Sequence, residues 1–274
     1  MSNRESGPAI VVGIDGSKSA MHAALWAIDE AVHRDVPLRL VYVVDVAAHA
    51  HAHAAAATPA TGTSDVQRRQ ATARAALYDV LRAIDATGKP VIVETDILWG
   101  RPLTKLMQES RSALMVCVGS IGLNHARSGQ GSVAGALAGS SLCPVAVIQQ
   151  APDGTVTPHI SSVVAEVDNG SVLRHAFAEA RLRGVPLRAV SVQANHVDDQ
   201  KGSEQGQLDR RLSRWTRLYP DVPVEPALVR TRARRYMADH AEPGQLFVTD
   251  AHTAQLCSVY GAGSSVLTVR CGNL

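Results

Sequence analysis

Short apolar runs alternate with amphipathic stretches along the chain. Ala9 to Ile14, Leu38 to Val44, Val91 to Ile97, Met115 to Val118 and Val145 to Ile148 are largely apolar, as strands of a parallel sheet covered on both faces usually are. Between the first two, Met21, Ala24, Leu25, Ile28 and Ala31 fall on one helical face, with Lys18, His22, Asp29 and His33 away from it. A second helix is predicted from about Asp65 to Thr87, with Gly88 placed as its C-terminal cap. Gly100-Arg101-Pro102 leads into a third helix that ends near Ser112, and a fourth begins near Gly131 and Ser132. Small residues (Ala134, Gly135, Ala136, Ala138) let that last helix lie close to a sheet. Five strands alternating with four helices predict an α/β fold, a doubly wound parallel sheet with helices on both faces.

The second half repeats the first in weaker form. Glu30-Ala31 and Val36-Pro37-Leu38-Arg39 recur as Glu179-Ala180 and Val185-Pro186-Leu187-Arg188, at a constant offset of 149. Val164 to Asp168 echoes Val11 to Asp15, and the helix that follows is shorter by one turn. Leu208, Leu212, Trp215 and Tyr219 mark a further amphipathic helix, and Leu246 to Thr249 and Val266 to Val269 match the fourth and fifth strands. Two domains are therefore expected, residues 1–150 and 160–274, joined by a linker at 151–159 (APDGTVTPH). The second copy is degenerate: Asp250-Ala251-His252 stands where the first has glycines.

Composition narrows the class. The chain has 274 residues, 46% apolar and 19% charged, with a formal net charge of +2. That balance argues against nucleic acid as a partner. No apolar run approaches the ~20 residues of a membrane span, and MSNRESGPAI lacks the apolar core of a signal peptide. A cytoplasmic protein with no membrane association is the expectation. Cys117, Cys143, Cys257 and Cys271 have no paired metal spacing and read as small apolar residues or bystanders.

The candidate chemistry lies between Met115 and Gln149. A strand runs into a loop containing Gly119, Gly122, Gly129 and Gly131, and then into a helix. Such a loop collects backbone N–H groups at a helix N-terminus, which suits a phosphate. Ser132 stands where the Walker pattern requires Lys. Gly129 to Ala134 fits the dinucleotide pattern, but about ten residues separate it from the strand it should follow. The bland alternative makes the glycines a tight turn and Ser132 an N-cap.

Gly119 and Gly122, with two residues between them, followed by Gly131-Ser132, resemble the nucleotide loop of the universal stress protein family. The family has nine residues before its last glycine, where this chain has eight, and bulky apolar residues where this chain has Gly129-Gln130. The resemblance covers both halves and looks closest to tandem actinobacterial members. It implies an adenine-nucleotide alpha-hydrolase-like fold with strand order 3-2-1-4-5 in each copy. It also implies ATP or AMP as ligand, with Mg²⁺ accompanying ATP. By the same resemblance Asp15 would sit beside the ribose and metal, Val43 against the adenine, and Gly119, Gly122, Gly131 and Ser132 around the phosphates. A regulator with at most weak ATP hydrolysis is implied, with a homodimer or a regulatory protein as further partner. The alternative is an interaction module that keeps the fold and binds no nucleotide.

Other candidates have plainer readings. His49, His51 and His53 alternate with alanine and could face one metal, but the segment is low in complexity and offers no fourth ligand. His125 reads as a solvated loop residue. Arg230, Arg232, Arg234 and Arg235 read as a solvated helix face. No nucleophile–base pair or carboxylate pair is placed by any motif, so no catalytic residue is assigned.

Overall fold

The computed structural model describes residues 7–45, 62–120, 133–150, 159–192, 201–231, 235–236, 239–251 and 264–270. The chain divides into two compact units, Met1–Gln150 and Ala151–Leu274.

The first unit contains β1 (Ile10–Ile14), α1 (Lys18–Arg34), β2 (Leu38–Val44), α2 (Gly62–Asp85), β3 (Val93–Trp99), α3 (Pro102–Glu109), β4 (Met115–Gly119), α4 (Val133–Ser140) and β5 (Val145–Ile148). Its strands are parallel, in the order β3-β2-β1-β4-β5. The winding reverses between β1 and β4, and their C-terminal ends open a crevice of the kind in which such sheets take ligands. The second unit contains β6 (Ser162–Glu166), α5 (Gly170–Arg183), β7 (Leu187–Val192), α6 (Lys201–Leu218), β8 (Val224–Val229), β9 (Gln245–Asp250) and β10 (Ser265–Val269). Its order, β8-β7-β6-β9-β10, is the same arrangement, again parallel.

The internal repeat in the sequence has a physical content. Glu30 and Glu179 are buried near the C-terminal ends of α1 and α5, and each pairs with an arginine four residues on, Arg34 and Arg183. Arg39 of β2 pairs with Glu94 directly across on β3 at 2.9 Å, as Arg188 of β7 does with Glu225 of β8 at 3.3 Å. Both helices end on a left-handed residue, Asp35 (φ 52°) and Gly184 (φ 64°), whose successors Val36 and Val185 donate to Ala31 and Ala180. The repeated Glu-Ala and Val-Pro-Leu-Arg segments are thus the helix end, the turn and the strand it feeds.

Several boundaries depart from expectation. α1 is not one-sided: His22, placed away from the core by periodicity, is buried, because the helix is covered by α2 as well as by the sheet. β3 begins two residues later than its apolar run suggests. Val91 closes a turn onto Lys89, and pairing with β2 instead extends to Trp99. As an edge strand it exposes Glu94 and Thr95, which blurs the pattern. α2 ends at Asp85, and Gly88 takes its positive φ of 65° after an intervening turn. β8 carries Pro226, which an edge position tolerates because one side needs no N–H donor.

Among the described glycines, Gly119 is the most closely packed. A Cβ built there would lie 2.5 Å from the Ser19 carbonyl carbon, 2.6 Å from the Ala20 nitrogen and 2.7 Å from the Ser19 Oγ. The obstacle is helix backbone, which cannot swing aside. Replacing glycine with alanine in unstrained backbone ordinarily stabilises by about 0.4–1 kcal/mol. Gly119→Ala is expected to reverse that sign and cost about 1–3 kcal/mol through forced displacement of α1. Urea unfolding measures it; unchanged or raised stability would show that α1 does not sit this close.

Candidate functional site

The crevice of the first unit is assembled from strand ends and one helix start. β1 ends at Ile14, and Asp15 follows, its Oδ1 accepting from the Ser17 N–H at 2.9 Å. Gly16 takes φ 85°, the left-handed region a tight turn demands of glycine. Ser17 then caps α1, its Oγ accepting from the Ala20 N–H at 3.1 Å, an arrangement worth about 1 kcal/mol. Asp15 is therefore the acceptor of the turn that aims the N-terminus of α1, with the positive end of that helix beside it.

On the residue before Asp15, Ile14 pairs in register with Tyr42, and Val43 follows, half-buried, near the end of β2. Burial pushes the Tyr42 phenol up, and the negative charge of Asp15 adds to the effect. A neutral phenol thus stands near the Asp15 carboxylate. On the other side of β1, β4 ends at Gly119 against Ser19 and Ala20. The next residue, Ser120, is buried; its N–H donates to the Ile148 carbonyl at 2.9 Å and its hydroxyl to Gln149 Oε1 at 2.7 Å.

Among the expected site residues, Asp15 and Gly119 come together at the reversal point, and Val43 lies one strand further out. Gly122, Gly131 and Ser132 lie outside the described residues, as do Gly129, Gln130, His125 and the histidines at 49, 51 and 53. Gly119 has a packing reason for being glycine that does not depend on any ligand. Sequence reading did not single out Tyr42 as a charge neighbour, nor Ser120 and Gln149 as a pair. Twenty-nine residues separate the latter two, and no local pattern joins them.

The second unit's crevice is electrostatically different. Register places Asp250 opposite Val269 just as Gly119 lies opposite Ile148, so a carboxylate occupies the glycine's position. Asp168, the counterpart of Asp15, forms an ion pair with Arg211 of α6. Burial pushes the Glu166 carboxyl up, helped by the charges of Asp168 and Asp250. Three carboxylates thus gather where an anion would have to enter.

Elsewhere, Cys117 and Cys143 are buried cysteines, and burial pushes the Cys143 thiol up, away from the thiolate a reactive cysteine needs. Arg230 and Arg235 are exposed, and Arg235 pairs with Asp239 at 3.4 Å; Arg232 and Arg234 lie outside the described residues. Tyr236, beside them, is instead buried with Val164, Val190, Phe247 and Val266. Among the described residues no cluster of three or more His, Cys, Asp or Glu could hold a metal ion, and no helix is long and apolar enough to cross a membrane.

Comparison with known proteins agrees with this fold. A universal stress protein of Mycobacterium tuberculosis strain H37Rv is 57% identical over 280 residues, covering 100% of both chains. A second from that strain is 39% identical over 291 residues, covering 98% of each. The crystal structure of a universal stress protein from Archaeoglobus fulgidus covers 98% of both chains with a TM-score of 0.67 at 13% identity, a likeness of fold. The model of the universal stress protein family matches residues 8–149, which include the crevice with Asp15 and Gly119. The chain belongs to the universal stress protein family, as a tandem two-domain member.

Proposed function

We propose that the first unit binds an adenine nucleotide, ATP or AMP, in the crevice between the ends of β1 and β4, with Mg²⁺ accompanying ATP, and that the second unit does not. The observation that carries this reading is the meeting of Asp15 and Gly119 at the reversal point, while their counterparts Asp168 and Asp250 are both carboxylates, the first already paired with Arg211. The donor set suits such a ligand: one carboxylate at a helix start can share a magnesium ion with phosphate oxygens, an arrangement magnesium favours over an all-protein cage. Asp15 would face the ribose and metal, Val43 the base, and the backbone after Gly119, with Gly122, Gly131 and Ser132, the phosphates. In the second unit a phosphate about 4 Å from Asp250 would be repelled by roughly 1 kcal/mol in water and several times more in a cleft.

The protein would act through the bound state rather than by rapid turnover, since among the described residues no side chain is placed as a general base. The spacing of eight residues before Gly131, one short of the family's, favours a second reading, an interaction module without nucleotide.

A ligand that binds only the native state stabilises it by roughly 2.7 kcal/mol at one hundred times its dissociation constant. Melting temperature should therefore rise with ATP and Mg²⁺ and not with inorganic phosphate, and calorimetry should return one site per chain. Gly122→Glu should abolish binding and Asp15→Ala weaken it, while Asp168→Ala should leave affinity unchanged. A flat titration together with no co-purified nucleotide would favour the interaction module; two equivalent sites would refute the division between units.

The second crevice yields its own prediction. A carboxyl with a raised folded-state value favours the native state fully only below the ordinary glutamate range, and that contribution is lost as pH rises through the folded value. Glu166→Gln keeps the neutral form at every pH. The variant should match the parent in urea unfolding near ~pH 4 and be the more stable at ~pH 7. Equal stability at both would mean that neither burial nor the charges of Asp168 and Asp250 raise the Glu166 carboxyl.

A further inference from the structure

Ser120 is where the chain leaves β4, and it is held from three directions. Its predecessor Gly119 is pressed against the first turn of α1. Its own N–H is tied to the Ile148 carbonyl at 2.9 Å, and its hydroxyl donates to Gln149 Oε1 at 2.7 Å. Ser120 is 4% exposed, so water competes poorly for that hydroxyl. The backbone bond continues the β4–β5 ladder by one residue. The side-chain bond adds something the ladder does not require, a fixed orientation of the residue from which the following segment departs.

The chain contains its own comparison. Gly119 lies opposite Ile148 in the first unit, and Asp250 opposite Val269 in the second. The residues that follow these pairs are Ser120 and Gln149 in one case and Ala251 and Arg270 in the other. Alanine has no hydroxyl to donate and arginine no acceptor to offer. The strand pairing is the same in both units, so the ladder does not need this bond. The pair is present in the unit with the glycine loop and absent from the unit without one.

We propose that Ser120 and Gln149 form a positioning pair that fixes the exit of the chain from β4 and thereby sets the nucleotide affinity of the first unit. The inference rests on the nucleotide reading above. Backbone N–H groups recognise phosphate only when aimed at it, and a Ser120 whose orientation is already fixed at the end of β4 need not be ordered when ligand binds. Neither side chain needs to touch the nucleotide.

The test uses the full chain with Gln149→Met, which removes the acceptor at similar volume, Ser120→Ala, and the double variant. A single neutral hydrogen bond at this burial predicts that each single variant weakens ATP–Mg²⁺ binding by about fivefold to tenfold in calorimetry. The double variant should be no weaker than either single one, because both remove the same bond. A purely structural contact would lower the melting temperature without this coupled loss. Exchange of the Ser120 amide, followed by NMR without ligand, should quicken in both single variants. Unchanged affinity in either single variant, losses that multiply in the double, or unaltered Ser120 exchange would each overturn the proposal. Faster exchange in variants of a parent that itself binds no nucleotide would overturn the nucleotide reading, and the effect on affinity with it, while upholding the anchor.

Discussion

The first unit depends on the contact between Gly119 and the first turn of α1. The end of β4 and the start of α1 approach to a distance at which even a methyl group would overlap helix backbone. That approach brings the N-terminus of α1, the Asp15 turn that aims it and the exit of β4 into one small region. The sheet order supplies the crevice; the close contact determines what faces into it. Gly13 of β1 marks a second, looser close approach, where an added Cβ would stand 3.1 Å from the Leu106 side chain and 3.2 Å from that of Val118.

Duplication followed by divergence explains the contrast between the units. What both copies retain is mechanical: a buried glutamate with its arginine one helical turn on, a left-handed helix end, and an arginine–glutamate pair across neighbouring strands. Buried ion pairs add little net stability over well-packed apolar residues, but losing one partner is costly. Their retention therefore accords with a constraint on register more than with a gain in stability. What differs is the crevice. Asp250 replaces Gly119, Arg211 engages Asp168, and Ala251 with Arg270 replaces Ser120 with Gln149.

The parallel sheet was legible in the sequence, because runs such as Met115–Val118 and Val145–Ile148 are buried on both faces and keep their apolar character throughout, whereas its order was implied by the family resemblance and not by the runs. Edges were less legible. β3 presents Glu94 and Thr95 to solvent, so periodicity misplaced it by two residues. His22 defied its helical face because a second helix covers α1, a tertiary fact that no local pattern carries. Within the site, Asp15 and Gly119 could be found from turn chemistry and glycine spacing. The reason Gly119 must be glycine could not, since it lies with Ser19 and Ala20, about a hundred residues earlier. Ser120 and Gln149 were hidden for the same reason, a bond between residues far apart in the chain.

Residue-resolved NMR during titration with ATP and Mg²⁺ tests the central claim most directly. Amide signals of Asp15, Val43, Gly119 and Ser120 should shift together along one saturating curve, with those of Asp168, Asp250 and Ala251 unmoved. Shifts in the second unit's crevice, or none at Asp15 and Gly119 while nucleotide is bound elsewhere, would contradict it.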